Sequence, residues 1–280
     1  MYIRNNIPGL KTVNILRKNS DLRAKSSEKL ASGIRINRAG DDAAGLAISE
    51  KMRSQIMGLD TAIKNASDGI SLIQTAEGTM GTIHNILHRI RELSVQAVND
   101  TLTSEDRQLI AIEMSQLGDE IDNEIKSTEF NTKKLLIGAN APITFQVGAN
   151  SAQTVDLLID KTNLPHSMQI FGTAYQFGSV HVDLSTQGNA DIVLSNIDPL
   201  IDSLSTERSK LGAMQNRLEH TINNLSTASE NTSAAESRIR DADMAKVMME
   251  FTKAQILTSA GTSLLAQTNQ SSGNVLSLLK

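Results

Sequence analysis

The sequence contains no cysteine and no tryptophan, and aromatic residues make up only 2% of its 280 positions. The absence of cysteine excludes a disulfide, a thiolate-ligated iron–sulfur cluster or zinc site, and a cysteine nucleophile. A compact globular core usually takes much of its buried area from aromatic side chains. This chain relies instead on Leu, Ile, Val, Met and Ala, the residue types that suit contact seams between helices.

The chain also lacks a strong charge bias and a long apolar run. Its formal net charge is −4 with 21% charged residues, which is too mild to indicate a nucleic acid or an anionic membrane as partner. No run approaches the ~18–20 apolar residues that a bilayer-spanning helix needs, and the N-terminus lacks the apolar core of a secretory signal. We therefore expect a soluble protein that stays in the cytosol or leaves by a route that does not read such a signal.

One proline-free segment, residues 42–98, carries the longest helical pattern. Its apolar residues recur at alternating steps of four and three, the spacing of a helix that lies against a partner helix. At ~1.5 Å per residue this helix would be roughly 85 Å long, far longer than a globular core needs, and Asp41 and Asp42 would cap it. The recurring residues are Met52, Ile56, Leu59, Ile63, Ala66, Ile70, Ile73, Ala76, Met80, Ile83, Leu87, Ile90, Leu93 and Ala97.

A second helix and a change of period follow. Thr103 and Asp106 have capping-box spacing, and the amphipathic helix that they open, about 25 residues long, is predicted to fold back antiparallel to the first. Apolar and polar residues then alternate over 143–147 and 155–159, which predicts a β-hairpin. A further short strand is suggested by Val180, Val182 and Leu184.

A second long seam begins near Asp191 or after Pro199 and is the natural partner of the first. The two ends of the chain carry thinner helical patterns that would be marginal alone, and Pro8-Gly9 argues against a helix before Leu10. Residues 32–40 read as an irregular link. The layout is a near palindrome, so the ends meet and pair as a coiled coil that orders mainly on assembly.

Little in the sequence offers catalytic chemistry. His84 and His88 lie one helical turn apart with Glu92 a further turn on, a spacing that would allow a metal ion. They lack a fourth ligand, and the His-Glu-x-x-His pattern is absent because Asn85 follows His84, so a solvated helix face is the preferred interpretation. We predict no enzyme activity, no cofactor and no metal site.

Long motifs near both ends resemble those of bacterial flagellins, in the same order along the chain. In the N-terminal half they are LASGIRINRAGDDAAGLAIS at 30–49 and NASDGISLIQTAEG at 65–78. In the C-terminal part they are LGAMQNRL at 211–218, SRIRDADM at 237–244, LAQTNQ at 265–270 and VLSLL at 275–279. Pro8-Gly9, Thr268 and the Ser271–Gly273 segment depart from the family pattern.

The resemblance implies a mainly α fold, a long antiparallel helical bundle or coiled coil with a small β-hairpin region, in which the terminal helices pair as an inner coiled coil. Residues 1–41 with 238–280 would form that inner domain. Residues 42–165 with 190–237 would form a rod domain of long helices plus the hairpin, and 166–189 a short connector in place of the variable outer domains. The implied function is a structural subunit that self-assembles into the flagellar filament.

The resemblance also implies a route and partners. Flagellins leave the cell unfolded through the flagellar type III apparatus without signal cleavage, so the expected location is the extracellular filament. A dedicated export chaperone would bind the C-terminal segment, and the filament cap and hook-associated proteins would be further partners. The residues that carry this segment's apolar stripe, for the chaperone or for inner-core assembly, are Val247, Phe251, Ile256, Leu257, Leu264 and Leu265.

A host partner follows from the same resemblance. In flagellins sensed by vertebrate Toll-like receptor 5, the segment that matches 87–97 and the helix that faces it make the contact. The matching positions are Arg89, Leu93 and Glu113, with Arg and an exposed Leu as anchors; subunit packing in the filament is the alternative use.

Two other functional classes stay open from the sequence. A hook–filament junction protein shares the terminal plan, although the long motifs favour the filament subunit. A cytosolic coiled-coil scaffold or a secreted adhesin would require termini that are stable in the monomer.

Overall fold

The computed structural model describes residues 6–138, 140–160, 164–165, 170–171 and 186–278, with 272–278 as backbone alone. The chain divides into two compact units, Met1–Ile56 with Glu230–Lys280, and Met57–Ser229. Most of the predicted connector at 166–189 and the alternating residues at 180–184 lie outside the described residues. The predicted inner and rod domains concern an assembled filament and stay a prediction.

Helix α1 spans Ile7–Ser32, so the expectation that Pro8-Gly9 keeps the helix from starting before Leu10 is wrong. Asn6 caps the helix by accepting a hydrogen bond from the backbone N–H of Gly9 over 3.0 Å. Pro8 stands in the first turn, where the missing N–H would have no intrahelical acceptor in any case.

The link between α1 and the next helix is irregular, as predicted. Gly33 ends α1 with φ of 71°, a left-handed conformation that glycine adopts without steric cost. Ile34 then forms an antiparallel bridge with Asp241. The link is therefore tied by backbone hydrogen bonding to the C-terminal part of the same unit.

Helix α2 spans Ala43–Val98, which confirms the predicted long helix. Asp42 caps it, since the side chain accepts a hydrogen bond from the N–H of Gly45 over 2.9 Å. From Ala66 onward the recurring apolar residues belong to the core of the second unit, and most of them are completely buried: Ala66, Ile73, Ala76, Met80, Ile83, Leu87, Ile90 and Ala97.

Helix α3 spans Ser104–Ser127 and confirms the predicted capping box. The hydroxyl of Thr103 accepts a hydrogen bond from the N–H of Asp106, whose carboxylate accepts the N–H of Thr103 over 3.0 Å. The hydrogen bond from the Thr103 hydroxyl is the main cause that lowers the pKa of Asp106. Contacts between Arg89 and Glu113 and between Thr79 and Thr128 run in opposite chain directions, so α3 is antiparallel to α2.

Arg107 closes the turn between these two helices, although nothing in the periodicity marks it. Its side chain is 9% exposed and donates to the carbonyl of Ala97 over 3.0 Å and to that of Asn99 over 3.1 Å. The last carbonyls of a helix have no intrahelical partner and lie at the negative end of its dipole. A buried guanidinium satisfies both the hydrogen bonds and the charge.

Two small strand pairs follow α3. The predicted hairpin is confirmed, because β3 (Ile143–Gln146) pairs antiparallel with β4 (Thr154–Leu157) and Ile143 faces Leu157. A second pair, β1 (Glu129–Phe130) with β2 (Lys133–Lys134), was not predicted, since two-residue strands leave no alternation to detect.

Helix α4 spans Gln187–Arg240 and contains Pro199, so it begins about one turn before the predicted start near Asp191, and the alternative start after Pro199 is wrong. A proline inside a helix removes one backbone hydrogen bond and usually kinks or ends it. Here Ile197 and Leu204, both 0% exposed, hold the helix in the core on either side of the proline. Tertiary burial therefore overrides the local preference.

Helices α2 and α4 run antiparallel within the second unit, which confirms that the two long seams are partners. Arg91 donates to Asp198 over 2.7 Å at one end of the pair. The hydroxyl of Ser229 donates to Asp60 over 2.9 Å at the other end.

Helix α5 spans Met244–Leu278 and packs against α1 in the first unit. The side chain of Asn6 donates to that of Asn269 over 3.3 Å, and a Cβ atom added at Gly261 would lie 3.0 Å from Cδ1 of Leu16. The pairing of early with late residues makes the two helices antiparallel. The predicted pairing of the chain ends is confirmed.

Candidate functional site

The seam between α1 and α5 is made largely of small and polar residues on the α1 side. The buried residues of α1 are Gly9, Asn19 and Ser26. On α5, Val247 and Ala254 are buried at 7% and 4% exposure, while Phe251 and Leu265 are half-buried. Val13 and Leu16 of α1 are half-buried as well, so the seam buries part of the apolar surface of the pair.

Ten large apolar side chains of the two terminal helices are exposed. Four on α1 are more than half exposed: Ile7, Leu10, Ile15 and Leu22. Six on α5 are 44–67% exposed: Met244, Met248, Met249, Ile256, Leu257 and Leu264. We call these two sets the outer apolar faces of α1 and α5. Apolar surface of this extent on both members of a helix pair marks an interaction site.

The six residues predicted for one apolar stripe on α5 lie on two different faces. Val247, Phe251 and Leu265 belong to the seam toward α1, whereas Ile256, Leu257 and Leu264 are exposed. The expectation of a single stripe is therefore wrong. The steps of four and three that link 247, 251, 254, 258, 261 and 265 could have separated the seam from the outer face.

The structure brings two of the three predicted receptor residues together on the surface of the second unit. Nε and Nη2 of Arg89 donate to Oε1 of Glu113 over 3.0 and 2.8 Å, and Nη1 reaches Glu92 at 3.3 Å. The hydrogen bond to Glu113 is the main cause that raises the pKa of Arg89. Both side chains are about half exposed.

Leu93, the third of these residues, is 3% exposed. The expectation that it is an exposed anchor is wrong, because it follows Ile90 by three residues and shares the buried stripe of α2. The position of Leu93 in the four-and-three repeat of α2 already indicated that it is buried.

The rings of His84 and His88 are in direct contact, which their separation of one helical turn in the sequence allows but does not require. Nε2 of His84 lies 3.0 Å from Nε2 of His88, with ring centroids 4.5 Å apart and ring planes at 86°. Burial, followed by the charges of His88 and Arg208, lowers the pKa of His84. Glu92 bonds to Arg89, and no cluster of three or more possible metal ligands occurs among the described residues.

These features define an α-helical structural protein whose terminal helices expose their apolar faces. Two family profiles match the chain: the bacterial flagellin N-terminal helical region over residues 3–141 and the bacterial flagellin C-terminal helical region over 194–279. None of the helices in the described ranges is long and apolar enough to cross a membrane.

Relatives over the full length agree with the profiles. The chain is 49% identical to the flagellin of Halalkalibacterium halodurans and 49% identical to that of Bacillus subtilis, with 100% of both chains covered in each case. It is 44% identical to the flagellar filament 31.3 kDa core protein of Treponema maltophilum, again with 100% of both chains covered. A crystal structure of Bacillus cereus flagellin is 28% identical, covers 62% of this chain and 94% of its own, and has a TM-score of 0.47.

The chain belongs to the bacterial flagellin family. It is a structural subunit of the flagellar filament, and it represents a short form at 280 residues. The name of the Treponema relative, a filament core protein, favours this function over the hook–filament junction alternative.

Proposed function

We propose that the outer apolar faces of α1 and α5 are the surfaces through which copies of this chain join in the filament. The observation that carries the proposal is the exposure of ten large apolar side chains on the helix pair, four on α1 and six on α5. A second copy supplies an apolar surface of the same kind, and burying each Leu, Ile or Met contributes about 1.5–3 kcal/mol. Residues 1–41 with 238–280 then form the inner domain, and 42–165 with 190–237 form the rod domain.

The same arrangement supports a role before assembly. A helix pair with a weak internal seam has only marginal stability in water. The terminal helices of the monomer therefore unfold readily, which allows export of the unfolded chain through the flagellar type III apparatus. Its destination is the extracellular filament, and its role is structural and not catalytic. The filament cap and the hook-associated proteins meet the outer apolar faces at the two ends of the filament.

The export chaperone is the partner for the outer apolar face of α5 before assembly. Met248, Met249, Ile256 and Leu257 line a shallow groove with Thr252 and Lys253. Methionine-rich surfaces adapt to different partners, and an amphipathic helix docks its apolar residues into the groove of a partner. The chaperone leaves this face when a neighbouring subunit takes its place.

Hydrogen exchange tests the proposal that the ends become ordered on assembly. In the monomer we expect the amides of α1 and α5 to exchange rapidly, and in filaments at least ~100-fold more slowly, because assembly buries both outer faces. The core part of α2 around Ile83 is the internal control and stays protected in both states. Equal protection of α1 and α5 in monomer and filament would contradict the proposal.

We further propose that Arg89 and Glu113 form part of a surface recognised by Toll-like receptor 5. The support is a half-exposed Arg–carboxylate pair on the segment that matches the flagellin receptor site. Arginine is enriched among residues that dominate binding energy, and Leu93 acts beneath it by fixing α2 against the core.

The Arg89→Asp substitution is expected to weaken binding of the monomer to the receptor ectodomain at least ~10-fold, because it removes the guanidinium and places three acids together. Arg217→Asp is the matched control, since Arg217 is an exposed arginine on α4, outside both the segment at 87–97 and helix α3. Surface plasmon resonance on both variants measures the difference. An unchanged affinity for Arg89→Asp, or an equal loss in both, would rule out this surface.

A further inference from the structure

The pair formed by His84 and His88 has the dimensions of a metal chelate. Metal–imidazole bonds are about 2.0–2.1 Å long. Two such bonds at a right angle hold their nitrogens roughly 2.9 Å apart, whereas a tetrahedral angle would hold them roughly 3.3 Å apart. The two Nε2 atoms are joined by a hydrogen bond of 3.0 Å, and this separation also matches two neighbouring positions of a square-planar or tetragonal site, the geometry typical of Cu(II) and Ni(II).

The residues next to the histidine pair leave Nε2 of His84 available to bind a metal ion. Nδ1 of His84 is buried without a hydrogen-bond partner, so Nε2 is the atom of that ring that faces the second histidine. The nearby Arg208 is placed 3.6 Å from Glu77, and that carboxylate offsets its positive charge.

We propose that His84 and His88 chelate one divalent transition-metal ion, with Cu(II) bound most tightly. Both ligands come from one turn of α2, so the site exists in the monomer. With no cluster of three ligands in the described part of the chain, water fills the remaining positions. The Irving–Williams order and the right-angle geometry place Cu(II) before Ni(II) and Zn(II).

Titration of the full-length monomer with CuSO₄ tests the site, followed by calorimetry and by electron paramagnetic resonance. We expect one equivalent of Cu(II) with two coordinated imidazole nitrogens, and at least ~10-fold weaker binding in His84→Asn and in His88→Asn, because each loses one of the two coordinate bonds. His220→Asn is the matched control and keeps the wild-type affinity, since His220 is exposed on α4 and has no other histidine within four residues of it in the sequence.

Three results would overturn the proposal: wild-type affinity in both histidine variants, an equal loss in His220→Asn, or copper-induced dimers with one imidazole from each chain. Far-UV circular dichroism verifies that each variant is folded. His88 is exposed, so His88→Asn decides the question even if replacing the half-buried His84 disturbs the helix.

Discussion

Replacing Ile256 and Leu264 together with asparagine is expected to abolish filament growth while leaving the helical content of the monomer unchanged. The two side chains are 63% and 57% exposed, so their loss removes few contacts within the chain. Each contributes about 1.5–3 kcal/mol when a neighbouring copy buries it. Since every 1.4 kcal/mol is a factor of about ten, the double substitution raises the critical concentration for assembly at least ~100-fold.

Seeded polymerisation, followed by light scattering and electron microscopy, measures this effect. The matched control replaces Thr262 and Ser263 with asparagine, because both are exposed polar residues on the same stretch of α5. The control is expected to elongate seeds at the wild-type rate. Elongation by the Ile256→Asn, Leu264→Asn protein at that same rate would remove the outer apolar face of α5 from the assembly surface.

The Ile83→Ala substitution is expected to lower the free energy of unfolding of the second unit by about 2–5 kcal/mol. Ile83 is 0% exposed and stands between Met80 and Leu87, which are also completely buried. Helix packing on both sides prevents the space from collapsing, so the lost transfer free energy is joined by the free energy of a cavity.

Urea unfolding followed at 222 nm, in parallel on Ile83→Ala and Ile192→Ala, measures the difference. Ile192 lies on α4 with 56% of its side chain exposed, so its truncation changes stability by only about 0.5 kcal/mol or less. Similar midpoints for the two variants would show that the centre of α2 is not the part of the core that determines stability.

The sequence alone determined where most elements lie and which two long helices are partners. The four-and-three repeat of α2, the Asp42 cap and the Thr103–Asp106 box are local, since each depends on residues within one or two turns. The β3–β4 hairpin was equally accessible, because its alternation fixes the register of the two strands. The motifs at 30–49 and 65–78 indicated the flagellin family from the sequence alone.

Only the tertiary structure decided which side of a helix faces a neighbour. The sequence offered two starts for α4, and the burial of Ile197 and Leu204 on either side of Pro199 decided between them. On α5, the spacing separates the side with Val247 from the side with Ile256, but only the structure shows that α1 covers the first and leaves the second exposed. Arg107 is buried because it donates to the carbonyls of Ala97 and Asn99, and periodicity, which reports only on apolar neighbours in the sequence, does not mark such a residue.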